Sequence, residues 1–389
     1  MHILFLNQYF PPDPAPTGVL LRELADHLQA AGHTVDFVAA RQDYREGQRK
    51  GGRMLREAKA LGRMLLDGLR RPRADVVVSA TSPPCLLLVA TLVAFWHRAK
   101  SVHWIMDLYP EIAVSLGEIR DGALAKLIGK AVGWAYRRAS AVVVLDEDMA
   151  DRLRRYGVEP AVIGVWVFAP VIAQAKRATA EPATPWTWIY SGNLGRAHEW
   201  ETLLAAQAIL EKRGSDIRLL FQGGGPSRPA AEARAAELAL RQCEWKGYVE
   251  EAELPDALRR GQVLVVTQLP AAQGLLWPSK LGLILSLPRP ILWVGPADGA
   301  IAQKLRRLPN AGVFAPGQAE EVADWLLTLK GKPDATYEAA VDPAAYREAV
   351  LRAWLVHIEQ YASRQWIVPP VVKPRPPRDS ASLNKADEP

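Results

Sequence analysis

Short apolar runs alternate with helical stretches along most of this chain, and this rhythm limits its fold more than any other feature. The runs are rich in Val, Ile, Leu and aromatic residues and lack polar alternation, which is typical of strands buried on both faces. In the first half the runs are residues 2–6, 34–40, 75–80, 101–106 and 141–145. Helical segments separate them, the first opening near Thr17 and Gly18 and ending at Gly32. The pattern predicts an α/β fold with a parallel sheet covered on both faces.

The rhythm stops between residues 169 and 186, where Ala, Pro and Thr are frequent and no period is strong. We interpret this segment as a linker. The alternation then resumes with runs at residues 187–191, 217–222, 262–267, 290–295 and 311–315. Two successive arrays predict two Rossmann-like domains, residues 1–168 and 187–342, that face each other across a cleft. Ligands of such sheets bind beyond the carboxyl ends of the strands.

The end of the chain divides into a helix and a tail. Apolar residues recur at helical spacing over residues 343–363, namely Tyr346, Val350, Trp354, Ile358 and Tyr361. Residues 369–389 are rich in Pro and charge and have too little apolar surface to order themselves. We therefore predict a last helix and a disordered tail.

The positive charge of the chain is local. The net charge is +6 over 389 residues, and residues 41–73 alone contain eleven Lys and Arg against four acidic residues. This distribution favours an anionic surface near one part of the molecule and argues against general nucleic-acid binding.

Neither a signal peptide nor a membrane-spanning helix is predicted. Met1 leads directly into a short apolar run without a basic region. The longest apolar stretch, residues 85–96, is shorter than the roughly 20 residues that a bilayer requires. We interpret that stretch as a fully buried helix. Cys85 and Cys243 lack metal-ligand spacing and are predicted to be reduced, buried thiols.

Two loops of the second domain are the strongest candidates for an anion site. After the strand at 187–191, Gly192 and Gly195 allow a sharp turn that exposes amide groups, and Arg196 offers a fixed charge. An ordinary turn with a surface arginine explains this spacing equally well. Ser279 is a predicted N-cap, with Lys280 in the first helical turn. A lysine there is unfavourable against the helix dipole unless an anion is bound, although a solvated lysine remains the alternative.

Weaker signals surround these loops. Gly223 and Gly224 at a strand end could admit a ligand closely, or could form a tight turn, and Tyr248 lies in another strand-end loop that could meet a nucleobase. The proline-rich loop before Gly18 could give its amides to a phosphate or could be a stiff connection.

The strand at 101–106 and the loop after it carry three titratable side chains. His103 lies within the strand and is interpreted as a satisfied core histidine. Asp107, just past the strand end, and Glu111 are better placed to contact a substrate.

An ordered set of motifs gives the chain a resemblance to a known family. The motifs are LNQYFPPDPAPTG (6–18), DLYPE (107–111), YSGNLGRAHEWETLL (190–204), FQGGGP (221–226), WKGYV (245–249) and PSKLGLILSLPRP (278–290). Together they resemble family 4 glycosyltransferases, especially those of bacterial surface-polysaccharide synthesis, over residues 1–362.

The resemblance implies a GT-B fold with a last helix that crosses back to the first domain. It implies a nucleotide-sugar donor on the second domain, an acceptor on the first, retention of anomeric configuration, and no cofactor or bound metal. By position it assigns the diphosphate to Arg196, Lys280, Ser279, Gly18, Gly195 and Asn193, and the nucleotide to Gly223, Gly224 and Tyr248. Asp107 and Glu111 become the candidate catalytic residues.

The chain departs from the family pattern at the donor site. Members of the family usually carry glutamates at positions that correspond to Leu275 and Leu283, and one glutamate typically holds the ribose. A leucine accepts no hydrogen bond from a hydroxyl group. His198 stands where many members have a lysine. The sequence therefore leaves open a catalytically impaired pseudoenzyme that serves as a partner or scaffold in glycan assembly.

The basic segment has the composition of a helix on an anionic bilayer. Met54, Ala58, Leu61, Leu65 and Leu69 form a stripe flanked by Arg53, Arg56, Lys59, Arg63 and Arg70. A core-packed helix with a solvated basic face is the alternative. We predict a cytoplasmic enzyme, peripheral on the inner face of the cell membrane. It would transfer a sugar to a membrane-surface, lipid-linked glycan acceptor.

Overall fold

The structure, a computed structural model, describes residues 1–11, 15–40, 53–177, 184–250, 253–332 and 337–363. The predicted tail at 369–389 lies outside these residues, as do residues 41–52 of the basic segment.

The first half of the chain forms a parallel sheet of six strands in the order β2-β1-β3-β4-β5-β6. Its strands are β1 (His2–Asn7), β2 (Thr34–Ala39), β3 (Val76–Ser79), β4 (Lys100–Trp104), β5 (Ala141–Val144) and β6 (Ala161–Val162). Successive side chains of β1 enter two different apolar clusters, Ile3 and Phe5 in one and Leu4 and Leu6 in the other. Both faces of the strand are therefore buried, as the unbroken apolar runs predicted.

Helices cover both faces of this sheet. They are α1 (Pro16–Ala30), α2 (Arg53–Arg70), α3 (Leu86–His97), α4 (Glu111–Ser115), α5 (Ala123–Arg138) and α6 (Glu147–Arg154). Pro16 begins α1, a position where its missing amide hydrogen costs nothing. Asp146 caps α6 by accepting a hydrogen bond of 2.9 Å from the backbone of Met149.

The second half repeats this architecture. Its parallel sheet has the order β12-β11-β10-β7-β8-β9. The strands are β7 (Thr187–Ser191), β8 (Arg218–Gln222), β9 (Cys243–Lys246), β10 (Val263–Thr267), β11 (Ile291–Val294) and β12 (Ala311–Phe314). The helices are α7 (Ala169–Arg177), α8 (Glu201–Lys212), α9 (Arg228–Glu237), α10 (Leu254–Arg259), α11 (Lys280–Leu285), α12 (Ala300–Leu305) and α13 (Ala319–Lys330).

The last helix, α14 (Pro343–Ser363), packs back against the first sheet. Trp354 is fully buried, and its ring centroid lies 4.6 Å from that of Trp104. Arg347 pairs with Glu23 of α1 at 2.8 Å. The predicted two-sheet fold with a returning helix is confirmed.

Three elements were missed or only partly predicted from the sequence. The two-residue strand β6 was missed because it is too short to show a pattern, and β9 was anticipated only through the loop after it. Within the stretch predicted as a linker, α7 forms because Val171 and Ile172 pack into the core of the second half. The division of the chain into domains at residues 168, 187 and 342 stays a proposal.

Helix α3 also differs from its prediction as a fully buried helix. Leu92, Phe95 and Trp96 are exposed, because only one side of α3 faces the sheet. Among the described residues, no helix combines the length and apolar character that crossing a bilayer requires.

Candidate active site

The candidate site lies where the carboxyl ends of β7, β8 and β10 meet. Parallel strands that pair in register end at the same edge of a sheet, which brings their following loops together. Gly192 follows β7, Gly223 follows β8, and the segment after β10 leads to Lys280 at the start of α11.

Lys280 is the most unusual side chain of this site. Its Nζ is buried without a hydrogen-bond partner and lies 3.5 Å from the ring centroid of Tyr190. A Cβ placed on Gly192 would lie 3.5 Å from the same nitrogen, so the amine faces the loop after β7. Burial lowers the pKa of Lys280 well below its usual value. Cation–π attraction to Tyr190 favours the charged form, and a bound anion would favour it further.

His198 lies in the same electrostatic environment. Burial, followed by the charge of Lys280, lowers its pKa to about 3. Its Nδ1 lies 3.0 Å from the carbonyl oxygen of Thr267. A carbonyl oxygen only accepts, so Nδ1 carries the hydrogen and Nε2 of this neutral ring is left as an acceptor. His198 therefore adds no positive charge to the site, unlike the lysine that the family resemblance implies at this position.

Four of the other predicted phosphate-binding residues belong to this site: Ser279 precedes Lys280 in the sequence, and Asn193, Gly195 and Arg196 lie on the loop after β7. Arg196 is exposed and has no hydrogen-bond or ion-pair partner among the described residues. Asn193 is exposed, and the carbonyl oxygen of Gly195 accepts a hydrogen bond from the His198 amide. Ser279 occupies the N-cap position of α11, but its hydroxyl makes no capping hydrogen bond.

Glycines allow the loops after β7 and β8 to touch. A Cβ on Gly223 would lie 2.2 Å from the carbonyl oxygen of Gly192, and Gly225 is equally crowded by Asn193. Both glycines have positive φ angles, 132° and 128°. Close packing of the two loops therefore explains these residues without a ligand. Gly224 faces the ring of Tyr248, whose hydroxyl donates to Asn193 at 3.4 Å.

Arg228 also belongs to this site, and its position after the glycine loop was the only signal that could have indicated it. Its Nη1 donates to the carbonyl oxygens of Gly223 at 2.5 Å and Lys246 at 2.7 Å. The guanidinium group lies 5.7 Å from the ring centroid of Trp245. Arg228 thus fixes the loops after β8 and β9 relative to each other.

Asp107 lies at the junction between the two halves of the molecule. Its backbone forms an antiparallel bridge with Leu276, and the next amide, of Leu108, donates to the carbonyl oxygen of Leu275 at 2.7 Å. Desolvation raises the pKa of the Asp107 carboxyl to about 6. The backbone of Asp107 therefore lies beside the segment that leads to Lys280.

Glu111 and Gly18 have structural partners of their own. Glu111 accepts a hydrogen bond from the hydroxyl of Tyr156, and its other carboxylate oxygen is buried without a partner. The amide of Gly18 already donates to the carbonyl oxygen of Ala15. A Cβ on Gly18 would lie 3.0 Å from the carbonyl oxygen of Tyr9, so this glycine lets α1 pack closely against the loop after β1. No described contact joins either residue to the Lys280 site.

A second contact between the two halves involves the triplet Asp146-Glu147-Asp148. Asp146 caps α6, whereas Asp148 accepts a hydrogen bond of 2.8 Å from the amide of Ala300 in the second half. Asp148 also accepts from the side chain of Gln273 at 3.4 Å. Both aspartates of this Asp-x-Asp triplet therefore accept hydrogen bonds from other residues of the protein.

Leu275 and Leu283 are core residues. Leu275 packs with the core of the first half, and Leu283 packs with Val167 and Ile284 in the second. An ionised glutamate in either environment would require a hydrogen-bonding partner to offset its burial. The ribose contact that the resemblance implies at these positions is not available from the leucine side chains. The core residue His103 is confirmed as such, with Ser79 and Thr91 at 2.8 and 3.2 Å.

Two leucines of the predicted apolar stripe of α2 face the core, whereas Ala58 of the same stripe is exposed. Leu61 and Leu65 pack against the core beside the buried Ala60 and Met64. Lys59 and Arg63 are exposed, Arg56 is half-buried, and the side chain of Arg53 lies outside the described residues. The alternative interpretation, a core-packed helix with a basic outer face, therefore describes α2 better.

Comparisons with known proteins agree with the fold. Residues 17–167 match the family model Glycosyltransferase Family 4, and residues 171–275 match the model Glycosyl transferases group 1. The chain belongs to the GT-B glycosyltransferases.

One named relative matches part of the chain at low sequence identity. The chain is similar to the probable glycosyltransferase WbjE of Pseudomonas aeruginosa, with 26% identity over 235 residues. That alignment spans 58% of this chain and 58% of WbjE.

Solved structures share the fold at low sequence identity. Sucrose-phosphate synthase from Thermosynechococcus elongatus has a TM-score of 0.66 at 15% identity, covering 92% of this chain and 98% of that one. The lipopolysaccharide outer core galactosyltransferase WaaB has a TM-score of 0.62 at 13% identity, covering 92% of this chain and 99% of that one. HepE of Anabaena, in complex with UDP-glucose, has a TM-score of 0.58 at 15% identity, with coverages of 93% and 98%.

Proposed function

We propose that the chain is a retaining, family 4 glycosyltransferase that moves a sugar from a nucleotide diphosphate to a membrane-associated, lipid-linked glycan acceptor. The sugar transfer would take place in the cytoplasm, on the inner face of the cell membrane. The observation that carries this proposal is the buried, unpaired amine of Lys280 at the carboxyl ends of β7 and β10.

Lys280 would stabilise the leaving diphosphate. A buried amine without a counter-ion gains most from an anion, because water no longer screens the interaction. The exposed guanidinium of Arg196 and the amides of the β7 loop would add to this stabilisation. We propose that these groups supply the positive charge in place of a protein-bound metal ion.

The transfer itself would proceed on one face of the donor sugar. The acceptor hydroxyl oxygen would attack the anomeric carbon from the side on which the diphosphate leaves. The bond from that carbon to the phosphate oxygen breaks, and the same oxygen takes the hydroxyl proton. Asp107 would steady the positive charge that develops on the sugar. Closure of the two halves would exclude water and so limit hydrolysis.

A uridine diphosphate sugar is the first donor to examine, because HepE holds UDP-glucose in the same fold. The buried leucines at 275 and 283 favour the second candidate, a pseudoenzyme that acts as a scaffold in glycan assembly. Titration calorimetry with UDP, GDP and ADP separates the two functions. Submillimolar binding of one nucleotide supports the enzyme. Absence of binding across the panel supports the scaffold.

Transfer by the wild-type protein is expected to decline as the pH falls through about 6. Asp107 has its pKa raised to about 6, so it becomes protonated in this range and loses the negative charge that the reaction uses. In Asp107→Asn the rate should be about 10²-fold lower and should lack this acid limb. The measurement is kcat/KM against pH for both proteins.

Asp146 provides the matched control, because burial also raises its pKa to about 6. Asp146→Asn retains a capping side chain for α6 and should keep both the rate and the acid limb. A limb that persists in Asp107→Asn and disappears in Asp146→Asn would contradict the role of Asp107.

A further inference from the structure

Exposed apolar side chains are concentrated on three neighbouring helices of the first half, α2, α3 and α5. Eight of the twelve large apolar residues that are exposed among the described residues lie there. They are Leu55 and Leu66 on α2, Leu92, Phe95 and Trp96 on α3, and Leu124, Leu127 and Trp134 on α5. Single exposed apolar residues need no explanation, but a concentration on adjacent helices indicates an interaction surface.

The three helices form one continuous layer because α3 packs against both of the others. Helix α2 approaches α3 so closely that a Cβ on Gly68 would lie 2.8 Å from the side chain of Val93. The inner sides of the helices are occupied by the core, including Met64 and Val93. The exposed residues therefore lie on the outer side of this layer, which we call the α2-α3-α5 face.

Helix α3 presents the most exposed part of this face. Phe95 and Trp96 are 76% and 66% exposed, and Leu92 lies one turn before them on the same side of the helix. Two large aromatic rings held in water near the end of a helix are unfavourable unless an apolar phase covers them. They do not serve the core, which α3 contacts through its other side.

The same face carries the excess positive charge of the protein. The three helices contain nine Lys and Arg residues but only two acidic residues, Glu57 and Asp67. Their net charge of +7 therefore exceeds that of the whole chain, +6. The exposed basic residues are Lys59, Arg63 and Arg70 on α2 and Lys126, Lys130, Arg137 and Arg138 on α5. They flank the apolar residues of α3 on both sides.

We propose that the α2-α3-α5 face docks on an anionic lipid bilayer, with Phe95 and Trp96 entering the boundary between headgroups and acyl chains. The flanking Lys and Arg residues contact the lipid phosphates. This inference rests on the proposed function, which places the acceptor at a membrane, and it assigns the contact to a three-helix face instead of the apolar stripe of α2. Charge complementarity favours a bilayer over a protein partner, because aromatic tips flanked by basic residues suit the headgroup region.

Vesicle co-sedimentation of the full chain tests the proposal. Vesicles of phosphatidylcholine containing phosphatidylglycerol should bind the wild-type protein more tightly than pure phosphatidylcholine vesicles, and added salt should weaken the binding. The double variant Phe95→Ser/Trp96→Ser should bind anionic vesicles about tenfold or more weakly, because two apolar side chains no longer enter the lipid. The control Val356→Ser replaces an apolar residue of α14 that is also exposed, at 57%, and should bind like the wild type.

Three results would overturn the docking proposal. The wild-type protein could fail to bind anionic vesicles, or the double variant could bind them as tightly as the wild type does. Light scattering could show a dimer that the double variant disperses, which would make the face a contact between copies of the chain. Calorimetry with UDP, GDP and ADP on the same proteins keeps the two proposals separate. Vesicle binding without binding of any of these nucleotides would refute only the transferase proposal. Nucleotide binding without vesicle binding would refute only the docking proposal.

Discussion

Replacing Lys280 by methionine is expected to lower kcat/KM for sugar transfer by about 10²- to 10³-fold, the usual effect of removing one preorganised charge from a transition state. Methionine has a similar length and suits the apolar surroundings of the Lys280 chain, so the fold should persist. The measurement is transfer from a nucleotide sugar, with thermal unfolding of the same samples as the check on structure.

The stability of this variant is informative in itself. Burial lowers the pKa of Lys280 in the folded protein below its value in the unfolded chain. The unfolded state therefore binds more protons between these two values, and the free energy of unfolding rises with pH across that interval. Lys280→Met should remove this pH dependence and should be at least as stable as the wild type near neutral pH. If Lys280 instead stabilised the fold, Lys280→Met would be less stable than the wild type near neutral pH.

Lys212→Met is the matched control. Lys212 is exposed near the end of α8, and its replacement should change neither transfer nor stability by a measurable amount. Normal transfer by Lys280→Met would refute the assigned role of the buried amine.

Replacing Trp354 by alanine is expected to cost about 3–5 kcal/mol of unfolding free energy, the range for removing a buried aromatic side chain. Trp354 is fully buried and lies 4.6 Å from Trp104, centroid to centroid, so its removal opens a cavity between α14 and the first sheet. The other contacts between α14 and the first half include the pairs of Arg347 with Glu23 and of His33 with Glu359. The measurement is chemical denaturation followed by circular dichroism.

Trp134→Ala serves as the control for this loss. Trp134 is 42% exposed on α5, so the same substitution there should change the free energy of unfolding by much less. An equal loss from both variants would mean that Trp354 does not hold the returning helix in place.

The architecture was predictable because it is encoded locally. Unbroken apolar runs such as 3–6 and 263–266 are typical of strands covered on both faces, and the structure buries every residue of both runs. The loops after β7 and β8 were recognisable through Gly192 and Gly223, since sharp turns and close backbone contacts need glycine. These signals act within a few residues of the chain.

The details of the site were not predictable because they depend on contacts between distant segments. Nothing near residue 280 in the sequence indicates that its amine lies over the ring of Tyr190, ninety positions earlier. The bridge between Asp107 and Leu276 likewise requires the two halves to meet. The predicted surroundings of α2 and α3 were also wrong, because periodicity identifies the apolar side of a helix but does not indicate what covers that side.

Proton uptake on nucleotide binding tests the central claim most directly. If the diphosphate binds against a neutral amine of Lys280, the bound anion should raise its pKa, and the amine should take up a proton. Calorimetry with UDP in buffers of different ionisation enthalpy, at a pH above the pKa of the free site, measures that uptake. We expect uptake approaching one proton per UDP in the wild type and none from this site in Lys280→Met. Equal uptake and equal affinity in both proteins would contradict the claim that Lys280 receives the diphosphate.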